Sequence, residues 1–258
     1  NTIIVDKSAA AGGTGTIASP RNSLTAALAA ATPGQIVRVV GNNGADGVAT
    51  TLGDNTAYEI GFNSLGGSLP DGSTLDVPKG VTVMVDAGAI FKMRRSAINV
   101  GSTSATIDRS GGAFQVLGTP TQSVYFTSYD DATIGRDTNP DTVLPQAGNW
   151  GGIAFRNDVD ATDPTRLNYE SRGIFLNYVS NADMRYGGGT VIVASVAQTV
   201  NPIHMVDARP TVMYNTITRS ADAAMSASPN SFQDDNFHSP PYQFVAFTSD
   251  SVSYTHLR

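Results

Sequence analysis

The sequence predicts an all-β fold, and three observations carry that prediction. Between Thr74 and Ser128, apolar and polar residues alternate in short runs at a period of two, the spacing that sends successive side chains to opposite faces of a strand. Tight turns rich in Gly, Pro, Asp and Ser separate the runs. No helical period appears between them, whereas βαβ crossovers need about a dozen or more residues, usually helical. Short strands with short, non-helical links leave two arrangements open: antiparallel hairpins or a coil of parallel strands.

In chain order, Thr2 to Val5 reads as a first short strand and Ala9 to Gly15 as a flexible turn. Ser19 and Pro20 suit the N-cap and first position of a helix. Leu24, Ala27, Leu28 and Ala31 then share one face of a single short helix, which Pro33-Gly34 stops. Ile36 to Val40 is an apolar strand. Residues 42–76 are polar and Gly-rich, a long loop with one strand at Tyr58 to Phe62. Val81, Val83 and Val85 then face one way, and Thr82, Met84 and Asp86 the other. Asp86-Ala87-Gly88 turns the chain, since Gly accepts backbone angles that other residues resist. Further strands follow at Ile90 to Met93, Ile98 and Val100, Phe114 and Val116, and Val124 and Phe126. Residues 130–148 form a second long loop, after which Trp150 to Phe155 returns to the core. Beyond it, strand-like runs occur at Ile174 to Val179, Ala182 to Tyr186, Val191 to Ala194, Ile203 to Val206 and within Pro210 to Met225.

The turns and strands have a recognisable order. A Pro78-Lys79-Gly80 turn precedes the valine-rich strand. An Ala87-Gly88 turn, a Phe91-Lys92 strand, Ile98-Asn99-Val100-Gly101, a Leu117-Gly118-Thr119 turn and Phe126-Thr127-Ser128 follow. Asn149-Trp150-Gly151-Gly152-Ile153 comes next. This succession, across residues 35–249, resembles the right-handed parallel β-helix domains of large bacterial secreted and cell-surface proteins. The insert from Ser102 to Gly112 departs from the tighter spacing of such domains.

The resemblance implies a pectate-lyase-like solenoid over residues 35–250, with long loops near 42–76 and 130–148. Residues 1–34 would supply a strand and a short N-terminal capping helix across the open apolar end of the coil. The right hand follows from strand twist and the crossover rule. Val83, Val100, Val116, Phe126, Ile153, Ile174 and Val212 are expected inside. Asn177 and Asn215 sit between strand-like pairs. Each is either an inward amide bonded to neighbouring coils or a solvent-exposed turn residue.

Composition narrows the partners. The 258-residue chain is 40% hydrophobic, enough for a sizeable core, and only 15% charged. A net charge of −6 and a pI near 4.9 argue against nucleic acid and anionic lipid, which need clustered Lys and Arg. With no cysteine, disulfides and thiolate metal sites are excluded. No apolar run approaches a membrane span, so no membrane insertion is expected. The chain begins at Asn1, which suggests a processed product or an internal fragment. Residues 251–258 resemble sequencing-adapter read-through and are set outside the fold. Phe244 to Ser249 resembles one more core strand, like Val124 to Ser128. No cap follows it, so further coils of the parent chain are expected at that end.

β-Helix proteins include pectate lyases and other glycan-cleaving enzymes, which use carboxylates to hold calcium and an Arg or Lys to take a proton from the sugar. Candidate carboxylates are Asp130 and Asp131, then Asp158, Asp160 and Asp163, then Asp234 and Asp235. Candidate bases are Lys92, Arg94, Arg95, Arg166 and Arg172. No lyase signature joins them. Asp158, Asp160 and Asp163 are the calcium candidates. They miss the EF-hand pattern, because Asp163 takes the glycine position and Tyr169 the bidentate Glu position. A solvated acidic turn is the plainer reading.

Lys92 and Arg94 alternate onto one strand face, expected to be solvated. His204 faces outward if Ile203 and Met205 face in, and three scattered histidines make a weak metal case. There is no G-x-S-x-G elbow, P-loop or dinucleotide fingerprint. A Ser-His-Asp triad is set by geometry and not by order, so it stays open. Trp150 is either a carbohydrate-stacking platform or a lid over the core with its indole N–H bonded nearby. The expectation is a noncatalytic structural and adhesive β-helix segment, extracellular or at the cell surface, with a glycan or cell-surface partner and no cofactor beyond calcium. The alternative is a polysaccharide lyase or glycoside hydrolase of the same fold.

Overall fold

The structure, a computed structural model, describes residues 1–102, 107–157, 175–228 and 231. Its strands are short and stack into three parallel sheets. The first sheet holds, in spatial order, β1 (Thr2–Val5), β2 (Ile36–Val39), β5 (Thr82–Asp86), β8 (Ala113–Leu117), β11 (Tyr178–Ser180) and β16 (Thr211–Met213). The second holds β3 (Tyr58–Gly61), β6 (Ile90–Arg94), β9 (Val124–Ser128), β12 (Ala182–Arg185) and β17 (Thr216–Thr218). The third holds β4 (Leu75–Asp76), β7 (Ile98–Val100), β10 (Ile153–Arg156), β15 (Ile203–Val206) and β18 (Met225–Ala227). From β5 the chain visits the first, second and third sheets in turn, then returns beside β5 as β8. Antiparallel hairpins are thereby excluded as the main plan. The molecule is rich in parallel strands in stacked sheets, an arrangement compatible with a parallel β-helix.

The registers show why these residues form these sheets. In the first sheet Val5, Val39, Val85, Val116, Val179 and Val212 stand one above the next. The second sheet aligns Tyr58, Phe91, Phe126, Met184 and Ile217. The third aligns Leu75, Ile98, Ile153, Ile203 and Met225. In-register parallel pairing sets β-branched residues over β-branched ones and rings over rings. Tyr58, Phe91 and Phe126 stack at centroid distances of 5.3 and 5.0 Å. Most members of these columns are fully buried, and each such side chain contributes about 1.5–3 kcal/mol from burial. Val83, Val100, Val116, Phe126 and Ile153 lie inside as expected. Val212 is half-buried, because β16 is the last strand of its sheet among the described residues. Ile174 lies outside the described residues.

The corners have their own rule. Arg95, Asn181, Tyr186, Asp207, Tyr214 and Arg219 each directly follow a strand, and each has positive φ, between 50° and 64°. A left-handed residue turns the chain sharply into the next sheet at a cost of about 1–2 kcal/mol. Gly101 does this after β7 with φ 83°, and a Cβ there would lie 1.9 Å from the Arg156 carbonyl oxygen. Asparagines bond the corners together. Asn215 donates Nδ2–H to the Val179 carbonyl at 2.8 Å and accepts from Ala182 N–H at 2.8 Å. Asn177 accepts from Phe114 N–H at 2.8 Å. Both amides therefore bond to neighbouring strands.

Two elements differ from expectation. The helix α1 spans Leu24–Ala30, with Ser23 and not Ser19 as N-cap. Ser19 instead closes a turn with Gly15, and Arg21 pairs its backbone with Ile4 and Asp6 beside β1, which keeps Pro20 out of the helix. Leu24 and Ala27 of α1 join the core against β1 and β2. Val191–Ala194 is not a sheet strand of the main stack. It begins an antiparallel hairpin of β13 (Thr190–Val193) and β14 (Val196–Thr199), turned by Ala194 and Ser195 at positive φ. The hairpin packs Val191 and Val193 on Ala97 and Ala154, so it covers the third sheet. No helix among the described residues is long and apolar enough to cross a membrane.

Candidate functional site

One cluster of buried polar residues gathers on the outer face of the second sheet. Inward residues of β3, β6 and β9 fill the aromatic column, so Glu59, Lys92 and Thr127 align on the other side. Lys92 is nonetheless fully buried and Arg94 nearly so, which corrects the expectation of a solvated basic face. The reason is the segment that follows β9. Residues 129–141 fold back across the outer face as a strap and shut out water.

Lys92, Glu59 and Asp131 fasten this strap. Lys92 Nζ donates to the Arg136 carbonyl at 3.1 Å. Thr138 Oγ1 donates to a Glu59 carboxylate oxygen. Asp131 accepts from Thr127 Oγ1 at 2.6 Å, Thr133 Oγ1 at 2.6 Å and Thr133 N–H at 2.9 Å. The strap also donates Gly135 N–H to Leu52 and Arg136 N–H to Asn55, and Ile134 is buried with Ala57 and Ile90. The loop at 42–76 and the loop at 130–148 are thus one cover.

Burial sets the electrostatics. It pushes the Glu59 carboxyl above its ordinary range, against the opposing Thr138 hydrogen bond. It lowers the Lys92 ammonium, against the carboxylates of Asp137, Asp131 and Glu59. Burial would also raise Asp131, but the bonds from Thr127 and Thr133 outweigh it and hold that carboxyl low. At Asp130 burial wins over the nearby Arg94 charge, and the carboxyl is raised.

Asp130 differs from Asp131 in its partners. Its Oδ1 accepts from Asn139 Nδ2 at 2.9 Å and lies 3.7 Å from Arg94 Nη1. Asp141 Oδ2 lies 3.9 Å from the same nitrogen. Arg94 Nη1, Asp130 Oδ2 and Asp141 Oδ2 are buried without hydrogen-bond partners among the described residues. Arg94 Nη1 and Asp141 Oδ2 stand beyond hydrogen-bond reach of each other, a spacing that suits a bridging hydroxyl-bearing group or water.

The other candidates separate. Asp158, Asp160, Asp163, Arg166, Arg172, Asp234, Asp235 and His238 lie outside the described residues. Among the described residues no group of three or more His, Asp or Glu is placed to hold a metal ion. Trp150 is fully buried, 6.3 Å from the Phe126 ring, and its indole N–H donates to the Arg185 carbonyl at 2.7 Å. It is a lid on the core and not a sugar platform. His204 faces outward, as expected from buried Ile203 and Met205, and its Nδ1 lies 2.7 Å from Ser226 Oγ on the next strand. That cross-strand pair was not legible in sequence, because the two residues meet only through register. Asp71 was missed too. It is buried where the sequence reads as open loop, and it accepts from Lys7 Nζ at 2.5 Å and Glu59 N–H at 2.8 Å. Comparison with protein-family models, curated proteins and solved structures finds no match.

Proposed function

We propose that this chain is a segment of right-handed parallel β-helix with a noncatalytic structural and adhesive role in a large extracellular or surface-attached bacterial protein. One observation carries the scaffold reading: Glu59, Lys92 and Asp131, three ionisable groups of the covered face, spend their bonds fastening the strap to the sheet. Groups used this way brace a surface and do not face a substrate. The winding through three sheets supports a rigid rod, because each round of chain rests only on its neighbours. The extracellular setting rests on the resemblance of the turn and strand motifs to such domains.

Glycan-array binding paired with an assay for released sugar tests this reading. Binding to glycans or cell surfaces without release of unsaturated or reducing ends is the expected result. Sugar release with calcium present would refute it in favour of the second reading, a polysaccharide lyase or glycoside hydrolase of the same fold. The observation favouring that alternative is the trio of Arg94, Asp130 and Asp141, in which Arg94 Nη1, Asp130 Oδ2 and Asp141 Oδ2 are buried without hydrogen-bond partners among the described residues. Arg94→Gln should then abolish release.

A further inference from the structure

The loop of residues 42–56 carries one edge of the strap. Asn42 Nδ2 donates to the Thr56 carbonyl at 2.8 Å, and Asn42 Oδ1 accepts from Thr56 N–H at 2.9 Å. Asp54 Oδ2 accepts from Ala45 N–H at 2.8 Å and from Asp46 N–H at 2.9 Å. Asn55 Nδ2 donates to the Ala49 carbonyl at 3.0 Å. These bonds tie the first half of the loop to its end. Leu52 and Asn55, which flank Asp54, in turn accept the strap's Gly135 and Arg136 N–H groups at 3.0 and 2.7 Å.

One residue of the loop stands apart. Asn42 and Asn55 are buried, with their amides pinned. Asn43 is exposed, and no hydrogen bond holds its side chain. Gly44 follows it, and this is the one Asn-Gly pair in the chain. The Gly44 nitrogen has no side chain beside it to hinder approach. Its N–H is held only by Asn42 Oδ1, at a long 3.3 Å. A free side-chain amide next to an unhindered backbone nitrogen is the arrangement in which a chain attacks itself.

We propose that Asn43 is a self-modification site, converting to aspartate or isoaspartate through a succinimide, and that the isoaspartate loosens the strap over Lys92. The Gly44 nitrogen bonds to Asn43 Cγ, and the bond from Cγ to Nδ2 breaks. The Gly44 amide proton leaves with that nitrogen as ammonia. Solvent water then opens the ring at either carbonyl. Opening at the backbone carbonyl routes the main chain through the Asn43 side chain and lengthens it by one methylene. The loop has little slack to absorb this, because Gly44 lies so close to Asp54 that an added Cβ would be 2.4 Å from Asp54 Oδ1. The Ala45 and Asp46 N–H groups then lose their register with Asp54 Oδ2. Leu52 and Asn55 lose the brace between them, and the strap opens more often.

The intact chain, aged at physiological temperature in mildly alkaline buffer and mapped by mass spectrometry, tests this. The peptide holding Asn43 should gain about 1 Da, an amide nitrogen exchanged for oxygen, and split into two products of equal mass. Asn43→Gln should gain nothing over the same period. In the chain carrying isoaspartate, an amine-reactive ester should acylate Lys92 on the order of tenfold faster, the factor expected when two hydrogen bonds no longer oppose a local opening. Asn43→Asp, which adds the charge without the methylene, should leave Lys92 as protected as in the fresh chain. No mass gain at Asn43, or an earlier gain at another asparagine, would overturn the modification. Unchanged acylation in the isoaspartate chain, or an equal rise in Asn43→Asp, would overturn its action on the strap.

Discussion

Replacing Asp71 with alanine should destabilise the protein by about 3–5 kcal/mol, the cost of breaking a buried ion pair by removing one partner. The side chain of Asp71 is fully buried and that of its partner Lys7 is 16% exposed. One carboxylate joins three separate segments of the N-terminal end. It holds Lys7 just past β1, the backbone N–H of Glu59 in β3, and, at 3.5 Å, the N–H of Leu24 that opens α1. Its removal leaves an unpaired ammonium and an orphaned buried N–H worth about 1–3 kcal/mol by itself. These costs do not add fully, because Lys7 can swing towards solvent.

The stranded charge on Lys7 also sets a coupling between the two sites. In the Lys7→Met background the loss from Asp71→Ala should shrink by about 2 kcal/mol, as no charge is then stranded. Urea unfolding with an unchanged m-value measures both. Hydrogen exchange should place the new opening in β1, α1 and β3. A loss below about 0.5 kcal/mol, the range of ordinary surface substitutions, would refute the reasoning. So would a loss that is the same in both backgrounds.

Other expectations follow from the corners and the covered face. Asn215→Ala orphans Ala182 N–H and the Val179 carbonyl and should cost about 2–4 kcal/mol, with exchange protection falling first at Val179 to Ala182. Gly101→Ala combines a left-handed φ of 83° with a Cβ 1.9 Å from the Arg156 oxygen, so a melting experiment should show a loss of more than about 2 kcal/mol. Burial raises the Glu59 carboxyl, so the folded chain keeps a proton that the unfolded chain releases, and stability should fall as pH rises from the ordinary carboxylate range through the folded pKa. Glu59→Gln removes this dependence; unfolding curves between about pH 4 and 7 that keep the same slope in the variant would count against it.

Most of the strands of the three sheets were legible in the sequence. Alternation at Val81 to Asp86, the runs at Ile98, Phe114, Val124 and Ile153, and the turn residues between them are local signals, and local sterics decide them. The sidedness of Val83, Phe126 and His204 was legible for the same reason, since a strand's period is fixed by its backbone. Which strand lies beside which, and what covers the faces, came from packing of the whole chain. Parallel pairing within each sheet brings together residues that lie one full round apart in sequence, so Ser226 meets His204 and valine stacks on valine through register. The helix start moved from Ser19 to Ser23 because backbone pairing between Arg21 and β1 outweighed a local capping preference. The outer faces of β6 and β9 read as solvated because alternation tells inside from outside and not exposed from covered. Lys92 is buried by a strap whose residues are mostly polar and carry no periodic signal. Asp71, too, looks like any loop aspartate until the fold brings Lys7, Leu24 and Glu59 around it, because its energetics come from partners far away in the chain.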